Sequence, residues 1–184
     1  MTGRALPAVR LRAIEPEDLD YLYKIENDRK LWEVGETNMP YSRYALHEYV
    51  ASCPTDIYAD RQLRLMVDTE EGETIGIADL MNFDPRHLRA EIGIVVDRPH
   101  RGKGYAQAAL AQLMAYASNV IHLHQVYSIV GADNEDSLRL FHRIGFETHG
   151  ELKDWLFDGS DYHDAVLFQK KIEKRRDNFW RNKK

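Results

Sequence analysis

The sequence predicts a domain of the α/β (α+β) class, in which helices flank a mixed, mostly antiparallel sheet. Segments with the apolar alternation of strands follow segments with the apolar spacing of helices, and a basic, glycine-bearing loop joins one strand directly to a helix. With 184 residues, 43% of them hydrophobic, the chain is long enough for one domain with its own core. We therefore expect a single domain over residues 1–184, with a basic C-terminal extension from about residue 169.

The N-terminal region predicts one strand and two helices. Apolar and other residues alternate over 9–14, as in a half-buried strand. Pro16 stands where a helix would begin, and acidic residues follow it in the first turn. A second helix is expected over 42–51, because Pro54 restricts the residue before it to an extended backbone.

The middle of the chain predicts three consecutive strands. Strands at 63–67 and 74–80 lie on either side of the acidic turn 70–73, which is the pattern of a hairpin. The apolar run 90–96 is the third strand, and it leads straight into the basic loop.

The C-terminal half alternates helices with strands. Small and apolar residues at helical spacing over 106–117 predict a helix that packs closely on the sheet. After a strand at 125–130, Asn134 is a candidate N-cap for a helix that Gly145 ends. The last two predicted elements are strands at 146–156 and 163–169.

Charge is distributed unevenly along the chain. The net charge is −5, but residues 169–184 hold eight Lys or Arg and two acids, so residues 1–168 carry −11. An acidic body attracts cationic substrates and repels nucleic acid, although charged surfaces often serve only solubility. We expect a small-molecule amine as the partner and no nucleic acid.

Several classes of protein are disfavoured by what the sequence lacks. It has neither an apolar run near the roughly 20 residues of a membrane span nor the apolar block of a secretory signal, so we expect a cytoplasmic protein without membrane contact. The single cysteine, Cys53, cannot form an internal disulfide, which fits a reducing compartment. His122 and His124 could lie on one face of a strand, but the sequence shows no clear third metal ligand near them. No metal site is therefore expected.

The loop after strand 90–96 is the candidate anion site. Gly102 and Gly104 let the backbone approach a ligand closely, and the first-turn N–H groups of the following helix point at any anion there. Arg101 and Lys103 add full positive charges. A tight turn that binds nothing would use the same glycines.

Two motifs, in this order, resemble those of the GNAT N-acetyltransferases. Arg101-x-x-Gly104-x-Ala106 is similar to their Arg/Gln-x-x-Gly-x-Gly/Ala signature, and Asn134-Glu-Asp-Ser137 followed by Ile144-Gly145-Phe146 is similar to their second motif. The similarity extends over 11–168 and looks closest to the spermidine/diamine and ribosomal-protein branches. It implies the GNAT fold, with a splayed central strand pair, and acetyl-CoA as the cosubstrate.

The resemblance also implies where acetyl-CoA binds. The loop amides would hold its pyrophosphate, and the backbone of the preceding strand would pair with its pantetheine arm. Gly93 in that strand marks a bulge or a close backbone approach, so the expected slot lies between Gly93 and Val130. The cofactor-binding residues implied are Ile94, Val95, Val96, Arg101, Gly102, Lys103, Gly104, Tyr105, Ala106, Asn134 and Phe141.

The implied reaction is direct acetyl transfer to a primary amine, which attacks only when it is unprotonated. Since a free ammonium has a pKa near 10.4, a base or a water chain is needed at neutral pH. Glu91, in the strand beside the acetyl site, is the candidate; its alternative role is an ion pair with Arg89 or Arg98. Glu33 and Glu36 lie in a segment that resembles the acidic substrate loop of spermidine acetyltransferases and are candidates to bind an ammonium group.

Phe141 is where the sequence departs from the spermidine branch. That branch has a tyrosine seven residues after the motif asparagine, and the same count from Asn134 reaches Phe141, which has no proton to donate. Its spacing from Leu138 and Ile144 predicts a core position. Protonation of the departing thiolate would then fall to water, Tyr127 or His142, the last lying about 100° around the helix from Phe141.

Three functions remain open from the sequence. The first is acetylation of a polyamine or diamine such as spermidine, which the acidic body favours and Phe141 weakens. The second is acetylation of a protein, at an N-terminal amine in the manner of ribosomal-protein acetyltransferases or at a lysine. The third is a non-catalytic acetyl-CoA sensor. Each is compatible with a homo-oligomer.

Overall fold

A seven-stranded sheet runs through the part of the chain that the computed structural model describes, which is residues 5–28, 31, 39–52 and 56–172. The strands are β1 (Val9–Arg12), β2 (Leu63–Thr69), β3 (Thr74–Asp84), β4 (Arg89–Val96), β5 (Gln125–Gly131), β6 (Glu147–Phe157) and β7 (Tyr162–Lys171). The helices are α1 (Leu19–Glu26), α2 (Arg43–Ala51), α3 (Ile57–Asp60), α4 (Tyr105–Asn119) and α5 (Glu135–Arg143). No helix among these ranges is long and apolar enough to cross a membrane.

The sheet is mixed and mostly antiparallel, as predicted. Its strand order is β1-β2-β3-β4-β5-β7-β6, and only the central pair β4–β5 is parallel. That pair is short: its last matched residues are Glu91 and Tyr127, although β4 continues to Val96 and β5 to Gly131. The two central strands therefore diverge beyond Glu91 and Tyr127, which confirms the predicted splay.

Two apolar clusters lie on opposite faces of the sheet. Leu110 and Leu113 of α4 and Phe141 of α5 belong to the larger cluster, and we call the sheet face beneath them the α4 face. Leu22 of α1 and Leu46 of α2 belong to the smaller one, on what we call the α1 face. Since side chains alternate along a strand, each residue near the splay is assigned to one of these faces.

The structure corrects several predicted element boundaries near the N-terminus. β1 ends at Arg12, two residues early, and a single 3₁₀ turn at Pro16–Asp18 precedes α1. The reason is a buried ion pair: the Arg12 guanidinium contacts Asp18 at 2.6 and 2.7 Å, so the chain turns back at this point. The α2 prediction holds, with the Ser42 hydroxyl accepting from the N–H of Ala45.

Two further differences have separate causes. α3 was not predicted, because its four residues are too few to show a periodicity. The signal available for it was Asp56, whose carboxylate caps the helix by accepting from the N–H of Tyr58. β7 continues to Lys171, which pairs with Gln125, so the first residues of the predicted basic extension belong to the sheet. Residues 173–184 lie outside the described part of the chain.

Candidate active site

The loop between β4 and α4 has the backbone of an anion-binding junction. Gly102 and Gly104 have φ angles of +72° and +94°, which only glycine adopts readily. Gly104 is the N-cap of α4, and its carbonyl accepts the helical bond from Ala108 at 3.0 Å. The N–H groups of Tyr105 to Gln107 precede the first donor of the helix, so they are open to an anion.

Neighbouring groups support the shape of this loop. The Arg101 Nε donates to the carbonyl of Val96 at 2.8 Å, which keeps a permanent positive charge at the end of β4. A Cβ on Gly104 would lie 3.1 Å from Cδ of Pro7, a tight contact that adds to the preference of its φ for glycine. A Cβ on Gly102 would meet nothing within 4 Å.

The splay provides a slot that leads away from this loop. Ile94, Val95 and Val96 pair with β3 on one side, but on the other side β4 has no β5 partner beyond Glu91. Backbone polar groups facing that gap have no strand partner there and are available to a ligand. The slot narrows from the loop to Glu91 over about five residues, or roughly 17 Å.

Glu91 stands at the narrow end of the slot, on the α1 face. It is half-buried, and its carboxylate accepts a hydrogen bond from Asn82 Nδ2 at 2.9 Å. Asn82 has a φ of +50° and lies in the irregular stretch where the β3–β4 register shifts, so this bulge directs the amide toward Glu91. Arg89, one of the alternative partners considered from the sequence, is 3.3 Å from Asp84.

The second motif brings a helix N-terminus to the wide end of the slot. Asn134 lies three residues after the end of β5 and caps α5: its side-chain oxygen accepts from the N–H of Ser137 at 3.1 Å, as predicted for a cap. Gly145, with a φ of +83°, ends the helix. Lys170 donates to the carbonyl of Ile144 beside it, which places a cation at the negative end of the helix dipole.

Phe141 is buried in the core on the α4 face, with 3% of its surface exposed. Its ring stacks on Phe168, with centroids 5.7 Å apart, and meets Phe146 edge-on at 5.0 Å. This agrees with the core position predicted from helical spacing. A contact between Phe141 and the cofactor stays a prediction, and Glu33 and Glu36 lie outside the described residues.

The sequence analysis missed a charged cluster on the α1 face beside the slot. Arg64 binds Asp79 through two contacts of 2.9 and 3.0 Å and also binds Glu26 of α1 at 2.5 Å. Burial opposes the charge, but the two carboxylates outweigh it and raise the pKa of the Arg64 guanidinium. Asp79 is paired with Gly93 across β3 and β4. The signal for this cluster in the sequence was a pair of opposite charges, Arg64 and Asp79, at inward-facing positions of otherwise apolar strands.

The glycine-bearing loop joined to an open slot has the geometry expected for an extended ligand with an anionic group at one end. Residues 8–147 match the family model of the acetyltransferase (GNAT) domain, and the chain therefore belongs to the GNAT family. It is an N-acetyltransferase, and acetyl-CoA is its cosubstrate. Because the protein is an enzyme, it is not the non-catalytic acetyl-CoA sensor that the sequence left open.

Particular relatives lie in two branches of this family. Spermidine N(1)-acetyltransferase of Escherichia coli (strain K12) is 29% identical over 159 residues, which are 86% of this chain and 83% of that protein. A putative ribosomal N-acetyltransferase of Bacillus subtilis (strain 168) is 30% identical over 167 residues, 87% of this chain and 89% of that protein. The solved structure of spermidine N-acetyltransferase from Vibrio cholerae with CoA and spermine has a TM-score of 0.82 at 25% identity, covering 90% of this chain and 96% of that one.

Proposed function

We propose that this enzyme acetylates a primary amine of a polyamine such as spermidine by direct transfer from acetyl-CoA. Relatives named spermidine N-acetyltransferases, and a similar structure with CoA and spermine, support this acceptor. The observation that carries the proposal is the position of Glu91, a carboxylate on the α1 face at the narrow end of the slot. A carboxylate there attracts a cationic amine and accepts its proton.

The proposed donor site follows the loop and the slot. Backbone N–H groups from Arg101 to Ala106 hold the pyrophosphate, with Arg101 and Lys103 adding charge. The β5-facing backbone of Ile94–Val96 pairs with the pantetheine arm, and Asn134 and Phe141 border the arm on the α5 side. The glycine conformations and the open strand edge of β4 support this placement.

The proposed chemistry assigns one proton transfer to Glu91. Asn82 holds the carboxylate in place, and Glu91 takes a proton from the incoming ammonium, directly or through water. The neutral amine then attacks the acetyl carbon from the α1 face. The cluster of Asp79, Glu26 and Arg64 has a net charge of −1. The same face therefore also favours a substrate with a second ammonium group.

Acetylation of a protein N-terminus is the second candidate, because the Bacillus relative at 30% identity has a ribosomal name. A panel of spermidine, spermine, putrescine and peptides with free N-terminal amines, assayed by release of CoA, separates the two. We expect a higher kcat/KM for spermidine than for any peptide. Turnover of a peptide with none of the polyamines would instead support the second candidate.

The proposed role of Glu91 is tested by Glu91→Gln. We expect kcat to fall about 100-fold near pH 7, and less at high pH, where more of the amine is already neutral. Glu70→Gln, in the exposed β2–β3 turn, is the matched control and should keep the wild-type pH profile. An equal loss at every pH would indicate a structural role for Glu91.

A further inference from the structure

Ser128, a buried residue of β5, has a hydroxyl that the proposed mechanism has not used. Ser128 of β5 is 5% exposed and is one of four buried polar residues among those the structure describes. The other three have partners: Asp18 and Asp68 bind Arg12, and Thr69 accepts from the N–H of Glu73. The side-chain hydrogen bonds within the described ranges include none from the Ser128 hydroxyl.

Ser128 occupies the point where the central strands separate. It directly follows Tyr127, the last β5 residue matched with β4, so it is the first residue of β5 that borders the slot. Val126 and Val130, two positions away on either side, belong to the cluster on the α4 face. Alternation along the strand therefore turns Ser128 toward the same face.

Ser128 and Phe141 have a common neighbour, Phe168. Ser128 is paired with Phe168 across β5 and β7, and Phe141 stacks on Phe168. Directly opposed residues of an antiparallel pair have Cβ atoms about 5 Å apart. Ser128 and Phe141 therefore both lie beside Phe168 in the core on the α4 face, and Phe141 has no polar atom to offer there.

Tyr127 and His142, the other candidate donors to the departing thiolate, are less well placed than Ser128. Tyr127 alternates with Ser128 and faces the α1 side, the side of Glu91. The His142 side chain is exposed, and its ring meets the edge of Phe168 at 4.9 Å. At the narrow end of the slot, Glu91 and Ser128 thus lie on opposite faces of the sheet.

We propose that the Ser128 hydroxyl donates a hydrogen bond to the sulfur of CoA as it leaves, an inference that rests on the proposed direct transfer. The C–N bond forms on the side of Glu91, the C–S bond breaks, and its electron pair goes to sulfur. Ser128 keeps its proton and stabilises the thiolate, while the proton lost from the amine goes to Glu91 or water. A thiolate with a reference pKa near 8.5 needs no stronger acid.

A matched pair of substitutions tests this role. Ser128→Thr keeps the hydroxyl, whereas Ser128→Val has the same shape without it, so packing changes are shared. We expect Ser128→Val to lower kcat about tenfold or more, with little change in either KM, and Ser128→Thr to retain most of the activity. Wild-type kcat in Ser128→Val, or an equal loss in both variants, would overturn the proposal.

A rescue experiment tests whether a hydroxyl supplied from α5 can replace that of Ser128. Phe141→Tyr, introduced into Ser128→Val, adds a hydroxyl from α5 and is expected to recover part of the lost kcat. The change in kcat caused by Phe141→Tyr is expected to be less favourable in the wild-type background than in Ser128→Val, because Ser128 already supplies the donor. Equal gains in both backgrounds would mean that the two positions act on different steps, and would contradict the proposal.

Binding of CoA provides a readout that needs no acceptor. Between pH 7 and pH 9.5 the thiol of CoA ionises, so the wild type should gain affinity for CoA relative to Ser128→Val by about tenfold. Acetyl-CoA, which has no ionisable thiol, should show no such change. If spermidine proves not to be a substrate, only the proposed acceptor fails; equal pH dependence of CoA binding in the two proteins rejects Ser128.

Discussion

Gly102 and Gly104 show how single residues shape the proposed donor site. Both have backbone conformations that other residues adopt at a cost, and Gly104 is also pressed against Pro7. Gly102 faces open space, so a side chain there changes the ligand side of the loop without a clash. It is therefore the better position at which to test the loop.

Gly102→Asp is expected to weaken binding of CoA by about tenfold, because a carboxylate would stand at the positive end of α4 where a phosphate should bind. Titration calorimetry measures the change. Gly72→Asp is the matched control: Gly72 has a φ of +88° and open space around it, but lies in the β2–β3 turn. Equal affinities for CoA in wild type and Gly102→Asp would remove the loop from the donor site.

The β6–β7 hairpin is held at its turn by one side-chain pair. Asp158 accepts from the N–H groups of Ser160 and Asp161 and is 2.8 Å from the ring nitrogen of His163. These hydrogen bonds lower the pKa of Asp158, and the one from the Asp161 N–H contributes most. The hydrogen bond to Asp158 in turn raises the pKa of His163. The pair therefore links the stability of this element to pH.

The sign of the pH effect follows from the two shifts. The raised pKa of His163 stabilises the fold below the unfolded value of about 6.5, and this contribution disappears as pH rises through the folded value. The lowered pKa of Asp158 contributes above about 3.9 and is lost in acid. His163→Gln should thus reduce the free energy of unfolding more at pH 5.5 than at pH 8.5, as measured by urea denaturation.

A double-mutant cycle isolates the pair. In an Asp158→Asn background the turn oxygen remains but the charge is gone, so His163→Gln should have nearly the same effect at both pH values. A pH-dependent loss that persists in this background would show that His163 responds to another group.

Arg64 connects layers of the molecule that the sequence does not place together. Through Glu26 and Asp79 it joins α1 to two strands of the sheet, next to the slot, with 26% of its side chain exposed. Asn27, one residue after α1, likewise accepts from the N–H of Tyr41 at 2.9 Å and donates to its carbonyl at 3.1 Å. The α1 face thus depends on polar contacts as well as on its apolar cluster.

Arg64→Met is expected to lower the free energy of unfolding by about 3 kcal/mol, because it leaves two partly buried carboxylates without their cation. Arg10→Met is the control, since Arg10 is 69% exposed and Asp68 also binds Arg12; its effect should stay below about 1 kcal/mol. Similar effects of the two substitutions on urea denaturation would mean that the Arg64 cluster does not hold α1 to the sheet.

Most elements and the loop could be predicted because their signals are local. Ser42, Asn134 and Gly145 mark helix ends through their own backbone preferences or short-range hydrogen bonds, and the structure agrees with each, whereas Pro16 begins a 3₁₀ turn ahead of α1. The four-residue α3 gave too short a pattern. The ion pairs of Arg12 and Arg64 join residues far apart in sequence, so no local pattern contains them.

The sequence by itself determined most of the elements, the glycine-bearing loop and the family, because periodicity and motifs are properties of neighbouring residues. Only the tertiary structure decided on which side of the sheet each group acts. A shift of one residue in the β4–β5 register would turn Ser128 to the same face as Glu91, and register depends on contacts between distant segments. The proposed base and the proposed thiolate donor therefore became visible only as a pair, on opposite faces of the point where the strands part.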